Sequence, residues 1–367
     1  MLLTILMGLD RSRFEPHLVT SNPALAAESR ARHITTHEAR LPEMMIDPPQ
    51  VRIPILRWAK DLLHLRRVIR DWKIDAIYCN GGSSCQIGYY AGKLAKVPVI
   101  SHLHSPYNRR YLILYRCNRA SRVIFVSRAI RDQALAKQRF LGRCAVLHNG
   151  IDAERFRPPI RRDASWRDRL SIPLDSVVFG QVSSLISRKG IDVLLRAFAN
   201  VLGRNSKARL VLVGDGDQRD EFMSLAAQLR IDGKVVWTGN QNDPLPYYQH
   251  VFDVNVLASR SDAFPLSVLE ASSCALPNLA SNVDGIPESV RDGLTGMLFE
   301  RGNDANLADK MIVLANSAAE RERLGHAGRE MIRTSFSLDD FCRAVENALS
   351  EEVSAFNNFG STYKYAY

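Results

Sequence analysis

The sequence predicts an α/β protein with two doubly wound, Rossmann-like domains that face a central cleft. Its 367 residues allow two domains of ~150 residues each. Short runs rich in β-branched residues alternate with amphipathic helical stretches, which is typical of parallel sheets. This alternation stops at Pro158 and Pro159 and then starts again. Because paired prolines favour an extended connector, we place the domains at residues 1–156 and 157–352, followed by a frayed tail over 353–367.

The individual elements follow from local patterns. The runs that predict strands are residues 75–79, 97–102 and 122–127 in the first half and 177–182, 208–214 and 234–237 in the second. Residues 58–72 predict a helix, because Leu62, Leu65 and Ile69 recur at helical spacing while Lys60 and Arg67 lie on the remaining arc. Further helices are predicted around residues 193–201 and from 221 onwards. The carboxyl ends of such parallel strands are where ligands bind.

The charge of the chain is unevenly distributed. The formal net charge is +10, and residues 1–170 carry +16 whereas residues 171–367 carry −6. A basic half suits nucleic acid, an anionic lipid surface or phosphorylated substrates, and it is also compatible with a merely solvated surface. The apolar start at residues 2–9 is too short for a membrane span, and the six cysteines include no C-x-x-C pair. We therefore expect a cytoplasmic protein without zinc or disulfides.

Two short motifs in the second half suggest phosphate chemistry. Residues 187–192 (Ser-Arg-Lys-Gly-Ile-Asp) end a strand and open a helix, so Lys189 and the first helical amides are expected to point at one spot that welcomes a phosphate. A glycine turn with a solvated lysine is the alternative. Residues 213–217 (Val-Gly-Asp-Gly-Asp) lack the third glycine of the dinucleotide fingerprint. Asp215 and Asp217 match a D-x-D metal pattern, but such triplets are common in turns and we expect no metal site.

The most specific stretch lies at residues 253–296. Asp262 is followed by Ala-Phe-Pro-Leu, Glu270 lies eight residues after Asp262, and Asn282-Val-Asp-Gly-Ile-Pro-Glu and Asp292-Gly-Leu-Thr-Gly come next. Here the chain resembles glycosyltransferase family 4, whose pattern is an acidic residue, seven others and Glu, with a small-Phe-Gly/Pro-Leu turn after the first acid. Other matches are His104 after a strand, residues 148–152 (His-Asn-Gly-Ile-Asp), residues 189–195 (Lys-Gly-Ile-Asp-Val-Leu-Leu) and residues 213–216 (Val-Gly-Asp-Gly).

The resemblance implies a GT-B fold in which the first domain takes the acceptor and the second takes a nucleotide-sugar donor, with the last helix returning to the first domain. It implies retention of the anomeric configuration and no metal or other cofactor. Lys189 is expected to stabilise the leaving diphosphate, Asp262 to hold sugar hydroxyls, and His104 to line the sugar side, a core histidine being the alternative. The remaining donor-binding residues that we infer are Glu270 on the ribose, Phe264 and Leu266 through their amides, Gly214, Thr238, Gly239, Asn240, Arg188 and Ser184.

The chain departs from the family pattern at four places. Ser183-Ser184-Leu185 stands where the family has Gly-Arg-Leu, so a cation is missing and Arg188 is a candidate replacement. Asp262 stands where Glu is usual, and Asp284-Gly285 replaces a Gly-Gly pair. The family's opening strand and glycine-rich loop have no counterpart. We therefore expect residues 2–9 to be helical and the strand at 17–20 to lie beside a gap.

We expect a retaining hexosyltransferase that moves a sugar from a nucleotide sugar to a glycan or lipid-linked acceptor in cell-surface polysaccharide or glycolipid synthesis. Residues 57–73 and 109–116 mix cations with apolar side chains, which suggests peripheral attachment to an anionic membrane on its inner face. No nucleic acid partner is expected. The alternatives are a degenerate, non-catalytic partner subunit, a nucleotide-sugar epimerase, or a nucleic-acid binder.

Overall fold

The computed structural model describes residues 2–39, 41, 45–47, 50–52 and 55–359. The chain divides into two compact units, the first formed by Met1–His148 with Asp339–Tyr367 and the second by Asn149–Leu338. The division therefore falls earlier than the proline pair predicted. Ile151 exchanges backbone hydrogen bonds of 3.0 Å with Phe336 and Leu338, and the carbonyl of buried Phe156 accepts from Ser273 Oγ at 2.5 Å. These contacts bind the predicted connector to the second unit.

The first unit contains a four-stranded parallel sheet and a separate parallel pair. Its helices are α1 (Leu2–Gly8), α2 (Pro23–Ala31), α3 (Ile55–Asp71), α4 (Gly82–Ala95), α5 (Arg109–Leu114) and α6 (Arg128–Lys137), and its strands are β1 (His17–Thr20), β2 (Thr35–Glu38), β3 (Met45–Asp47), β4 (Gln50–Arg52), β5 (Ile77–Asn80), β6 (Val99–Leu103), β7 (Arg122–Phe125) and β8 (Arg143–Val146). The large sheet has the order β5-β6-β7-β8, while β1 pairs in parallel with β2 and β3 is antiparallel to β4.

The start of the chain follows the prediction. Residues 2–8 form helix α1, as expected. Within the described ranges β1 is hydrogen-bonded to β2 alone, and the pair is not joined to the four-stranded sheet. The predicted strand at 17–20 thus has one unpaired edge.

The second unit is a doubly wound sheet of six parallel strands. Its helices are α7 (Ser165–Arg169), α8 (Ile191–Leu202), α9 (Arg219–Gln228), α10 (Leu266–Ser273), α11 (Ile286–Ser289), α12 (Asp304–Asn316) and α13 (Ala318–Ser335), and its strands are β9 (Val178–Val182), β10 (Arg209–Val213), β11 (Val235–Trp237), β12 (Val254–Leu257), β13 (Asn278–Ser281) and β14 (Gly296–Phe299). The strand order is β11-β10-β9-β12-β13-β14. The chain reverses direction across the sheet between β9 and β12, so the carboxyl ends of these two strands form the topological switch point.

The core of the second unit explains its near-continuous apolar strands. Residues 210–213 of β10 are all buried, as are the four residues of β12, because helices cover both faces of a parallel sheet. Phe179, Phe198 and Phe299 are among the largest fully buried side chains. This packing holds the strand ends that carry the site.

The final helix ends later than predicted. Helix α14 (Leu338–Phe359) extends through residues 353–359, which the sequence predicted to be frayed, whereas residues 360–367 lie outside the described ranges. Glu352, with 1% of its side chain exposed, accepts from Arg122 Nε at 2.9 Å and lies 3.2 Å from Arg143 Nε. This anchor explains the longer helix. No helix in the described part of the chain is long and apolar enough to cross a bilayer.

Candidate active site

An ion pair lies at the switch point of the second unit. The loop after β9 ends in a single 3-10 turn, Ser187–Lys189, and the loop after β12 carries Asp262. Lys189 Nζ donates to Asp262 Oδ2 at 2.6 Å, and the exposed fractions of the two side chains are only 15% and 11%. An ammonium group has three N–H donors, so Lys189 can hold Asp262 and still reach an anion.

A glycine brings the lysine loop against the aspartate loop. Gly190 has φ +64° and caps α8, and a Cβ atom at this position would lie 1.9 Å from the carbonyl oxygen of Ala258. Any other residue would force the two loops apart. Glycine is therefore required at position 190 both for the turn and for the close approach of the two loops.

Asp284 holds the aspartate loop from the other side. One carboxylate oxygen, Oδ2, accepts from Ser261 Oγ at 2.6 Å and from the backbone N–H of Asp262 at 3.1 Å. Asp284 has φ +47°, the left-handed region that glycine occupies easily and that Asp and Asn tolerate best among other residues. The structure thus gives a role to the aspartate that replaces a family glycine: it fixes the turn that presents Asp262.

Two arginines connect the lysine loop with the aspartate loop. Arg188 is exposed, and its Nη1 donates to the carbonyl oxygen of Ser261 at 2.9 Å. Arg260 forms a two-pronged contact with Asp192 at 2.8 and 2.6 Å, which lowers the pKa of that carboxyl group. Sequence reasoning missed Arg260 and Asp192, because nothing in the sequence relates two residues 68 positions apart. Arg188 retains donors beyond the one used on Ser261.

Glu270 belongs to α10 and is half-buried. Tyr248 OH donates to Glu270 Oε2 at 2.9 Å, and burial raises the pKa of the Glu270 carboxyl above its usual value. Burial also raises the pKa of Tyr248, so the phenol keeps its proton and acts as the donor. The second oxygen of Glu270 is left to accept other hydrogen bonds. Tyr248 was not predicted, because it lies in a short π-helical segment, Tyr247–Val251, without a motif.

The turn after β10 approaches the start of the lysine loop. Gly214 has φ +134°, and a Cβ atom there would lie 2.1 Å from the carbonyl oxygen of Ser183. The N–H of Gly214 donates to the carbonyl of Gly239 at 2.9 Å. Thr238 is half-buried and donates through Oγ1 to the carbonyl of Gly239 at 3.1 Å. The predicted residues Gly214, Thr238 and Gly239 therefore form one group, with Ser184 and Asn240 exposed nearby in sequence.

The residues after Asp262 lead into α10. Phe264 is 4% exposed, its ring lies 5.4 Å from that of Phe336, and its carbonyl oxygen accepts from Asn149 Nδ2 at 3.2 Å. Leu266 is the first residue of α10 and follows Pro265, so its amide is one of the N–H groups that a helix leaves free at its start.

His104 belongs to the first unit, at the carboxyl end of β6. Its Nε2 atom lies 2.7 Å from Asn80 Oδ1, and its ring lies 4.1 Å from that of His102. Burial lowers the pKa of His104 to about 4, so the imidazole is neutral at pH 7. The other predicted residues belong to the second unit, where Lys189 contacts Asp262 and Arg188 contacts the preceding residue, Ser261.

Two family models match the chain, and together they cover most of it. The model described as Glycosyltransferase Family 4 matches residues 1–155, and the model described as Glycosyl transferases group 1 matches residues 163–331. Together with the doubly wound sheet of the second unit, these matches show the class of protein, a glycosyltransferase of the GT-B fold. The chain belongs to glycosyltransferase family 4, as the motifs around Asp262 and Glu270 predicted.

Named relatives agree with this class. The chain is 29% identical over 229 residues to a D-inositol 3-phosphate glycosyltransferase from Streptomyces bingchenggensis, covering 60% of this chain and 50% of that protein. It is 26% identical to a GDP-mannose-dependent phosphatidylinositol monomannoside mannosyltransferase from Mycobacterium tuberculosis, covering 80% of each. The match thus spans about half the length of the first relative. Both relatives are named as transferases.

Solved structures show the same fold. Anabaena HepE in complex with UDP-glucose aligns with a TM-score of 0.82 at 20% identity, covering 95% of this chain and 94% of that one. A glycosyltransferase from Rickettsia africae aligns with a TM-score of 0.81 at 18% identity, covering 96% and 93%. At this identity the likeness establishes the fold alone.

Proposed function

We propose that this protein transfers a hexose from a nucleoside diphosphate sugar to a hydroxyl group of a glycan or lipid-linked acceptor, with retention of the anomeric configuration and without a bound metal. The observation that carries the proposal is the contact of 2.6 Å between Lys189 and Asp262 at the switch point of the second unit. Cleavage of a sugar–diphosphate bond leaves an anion, and a fixed cation beside it stabilises the transition state.

In this proposal Lys189 and Asp262 bind different parts of the nucleotide-sugar donor. Lys189 offers its two remaining N–H donors to the diphosphate, while Asp262 accepts hydrogen bonds from sugar hydroxyls. Arg188, whose Nη1 donates to the carbonyl oxygen of Ser261 at 2.9 Å, supplies a second positive charge in place of the family arginine that Ser184 replaces. Before a donor binds, the opposite charges of Lys189 and Asp262 neutralise each other, so neither buried charge lacks a partner.

Glu270 suits the ribose of the nucleotide. Tyr248 OH donates to Oε2, so Oε1 remains to accept hydrogen bonds from the ribose hydroxyl groups. The turn formed by Gly214, Thr238 and Gly239 suits the base, because backbone groups approach closely there.

The named relatives support a nucleotide-sugar donor and a glycan or glycolipid acceptor, but they differ in the particular donor and acceptor. HepE binds UDP-glucose, and the mycobacterial relative is named as GDP-mannose-dependent and acts on a phosphatidylinositol mannoside. A Staphylococcus aureus relative, 26% identical over 243 residues, is named as a capsular polysaccharide glycosyltransferase. The proposed acceptor is therefore a growing glycan or a glycolipid.

The test is a donor screen followed by product analysis. Thermal unfolding is measured with UDP, GDP and ADP and with their common hexose conjugates, because a ligand that binds only the folded state stabilises it by RT ln(1 + [L]/Kd). The stabilising donor is then incubated with glycan and glycolipid acceptors, and the product anomer is assigned by NMR. An α-linked donor that gives an α-linked product supports the proposal. No stabilisation by any nucleotide, or an inverted product, contradicts it.

A peripheral position on an anionic membrane is part of the proposal. On α3, Leu56, Lys60, Leu63, Arg67 and Arg70 are all exposed and follow one another at intervals of four and three residues. This spacing places them on one helical face, where exposed leucines can enter the interface and cations can meet anionic lipid headgroups. Such attachment would keep the enzyme beside a lipid-linked acceptor on the cytoplasmic side.

A further inference from the structure

Asn80 and His104 meet at the carboxyl edge of the first unit's sheet. Asn80 is the last residue of β5, and His104 follows β6 directly. The two strands are parallel neighbours with Asn80 opposite His102 in the register. Both side chains are half-buried, and the carboxyl edge is the ligand-binding edge of such a sheet.

The contact between them defines a donor and an acceptor. His104 Nε2 lies 2.7 Å from Asn80 Oδ1, and a carbonyl oxygen can only accept. His104 must therefore carry its proton on Nε2, which leaves Nδ1 with a bare lone pair. A free histidine would populate both tautomers, so the partner on one nitrogen determines what the other can do.

The neighbours of His104 fix the plane of its ring without competing for its proton. The ring of His102 lies 4.1 Å away at an interplanar angle of 35°, and Tyr78 OH contacts Nδ1 of His102. Burial raises the pKa of Tyr78, so the phenol donates and His102 keeps its own proton on Nε2. Burial is the largest cause of the lowered pKa of His104, and the positive N-terminus of the chain lowers it further.

We propose that Asn80 is a positioning residue that holds His104 as the Nε2–H tautomer, so that Nδ1 accepts a hydrogen bond from a hydroxyl group of the sugar substrate. The last part rests on the proposed transferase function, whereas the tautomer itself does not. A bare Nδ1 selects a group with an O–H or N–H donor and disfavours an ether oxygen or a carboxylate.

The first experiment reads the tautomer directly. Nitrogen NMR of the full chain, labelled with ¹⁵N-histidine, reports which ring nitrogen carries the proton, and a His104→Gln variant assigns the signal. The wild type should show Nε2–H with an unprotonated Nδ1. Asn80→Ala should show a mixture of tautomers, and Asn80→Asp should keep Nε2–H but raise the pKa of His104. An Nδ1–H wild type, or an Asn80→Ala spectrum identical to wild type, overturns the proposal.

The second experiment links the tautomer to the substrate. Asn80→Ala should lower kcat/KM about tenfold, the scale of one lost hydrogen bond, while the Kd of the free nucleoside diphosphate changes less than twofold. Asn357→Ala, an exposed asparagine on α14, serves as the control and should match the wild type. Unchanged kcat/KM in an Asn80→Ala enzyme overturns the substrate contact. Absence of nucleotide binding in the wild type would instead contradict the transferase function.

Discussion

At the scale of single residues, the site depends on a lysine and an aspartate that lie 73 positions apart in sequence and 2.6 Å apart in space. The pair is nearly buried and therefore well positioned before any donor arrives. Preorganised charge costs no rearrangement at the moment of reaction, which is what makes it effective.

Removal of Lys189 should impair turnover. Lys189→Ala takes away a charge-assisted contact worth roughly 1.5–3 kcal/mol, so kcat/KM should fall at least about tenfold. The matched control is Lys207→Ala, because Lys207 also pairs with an aspartate, Asp175, at 2.6 Å but both side chains of that pair are exposed. Steady-state kinetics and thermal melting of both variants make the test. If the two variants have equal activity, the assigned role of Lys189 is wrong.

Asp284 should act through its hydrogen bonds and not through its charge. Asp284→Asn keeps an acceptor oxygen and tolerates φ +47°, so its kcat/KM should stay within about threefold of wild type. Asp284→Gly keeps the backbone but loses both contacts to the aspartate loop, each worth about 0.5–1.5 kcal/mol, and should lose about tenfold or more. Donor kinetics of the two variants provide the measurement. A glycine variant as active as the asparagine variant would contradict this role.

His104 should make folding stability depend on acid pH. Its pKa is about 4 in the folded protein and near 6.5 when unfolded, so the unfolded state binds the extra proton first. The stability is complete above pH 6.5 and is lost as the pH falls from 6.5 to 4, by up to about 3 kcal/mol. Urea unfolding at several pH values should show this loss in the wild type and a smaller one in His104→Gln. Parallel pH curves for the two proteins would rule out the effect.

The sequence analysis identified the site residues that belong to motifs. It missed residues whose role depends on contacts with residues far away in the sequence. Lys189, Asp262 and Glu270 stand at recognisable spacings from glycines and from each other. Tyr248 and Asn80 carry no such signal, because each acts on a motif residue only after strands or helices bring them together. A polar residue at the end of a predicted strand, such as Asn80, is the weak signal that was available.

At the scale of elements, predicted strands at 177–182, 208–214 and 234–237 correspond closely to β9, β10 and β11. Buried parallel strands are apolar runs bounded by turns, so their patterns are strong. Helix ends are harder to predict because distant contacts decide them. The end of α14 depends on Glu352, whose partners Arg122 and Arg143 are more than 200 residues earlier.

The exposed face of α3 should bind anionic membranes. Replacement of Lys60 and Arg67 by Gln removes two charges worth about 1 kcal/mol each near such a surface, so partitioning should fall about thirtyfold. Co-sedimentation with neutral and anionic vesicles at low and high salt measures it. Arg333→Gln, an exposed arginine of α13 in the second unit, is the control.

Salt concentration and lipid composition provide the controls for membrane binding by α3. Binding should require anionic lipid and should weaken at high salt, because salt screens charges at exposed surfaces. Replacement of Leu56, which is 89% exposed, by Gln should reduce binding further if apolar side chains enter the interface. Equal sedimentation with neutral and anionic vesicles would contradict membrane attachment through this helix.

At the scale of the whole molecule, the uneven distribution of charge fits the proposed donor and acceptor roles of the two halves of the chain. Residues 1–170 carry +16 and residues 171–367 carry −6, yet the second unit places Lys189 and Arg188 at its switch point. The proposed diphosphate site therefore depends on the local placement of cations and not on the net charge of the half of the sequence that contains it. The basic first half suits an acceptor at an anionic surface.

Turnover should survive removal of divalent metals. In the proposed mechanism Lys189 supplies the positive charge that a bound metal ion would otherwise supply. Asp215 Oδ1 already accepts from the N–H of Gly216 at 2.8 Å. With excess EDTA, kcat/KM for the donor should stay within about twofold of its value in buffer alone. The same protein with Asp215 and Asp217 both replaced by Asn should also keep this rate. Activity that disappears with EDTA and returns with Mn²⁺ or Mg²⁺ would show that a metal does the work we assign to Lys189.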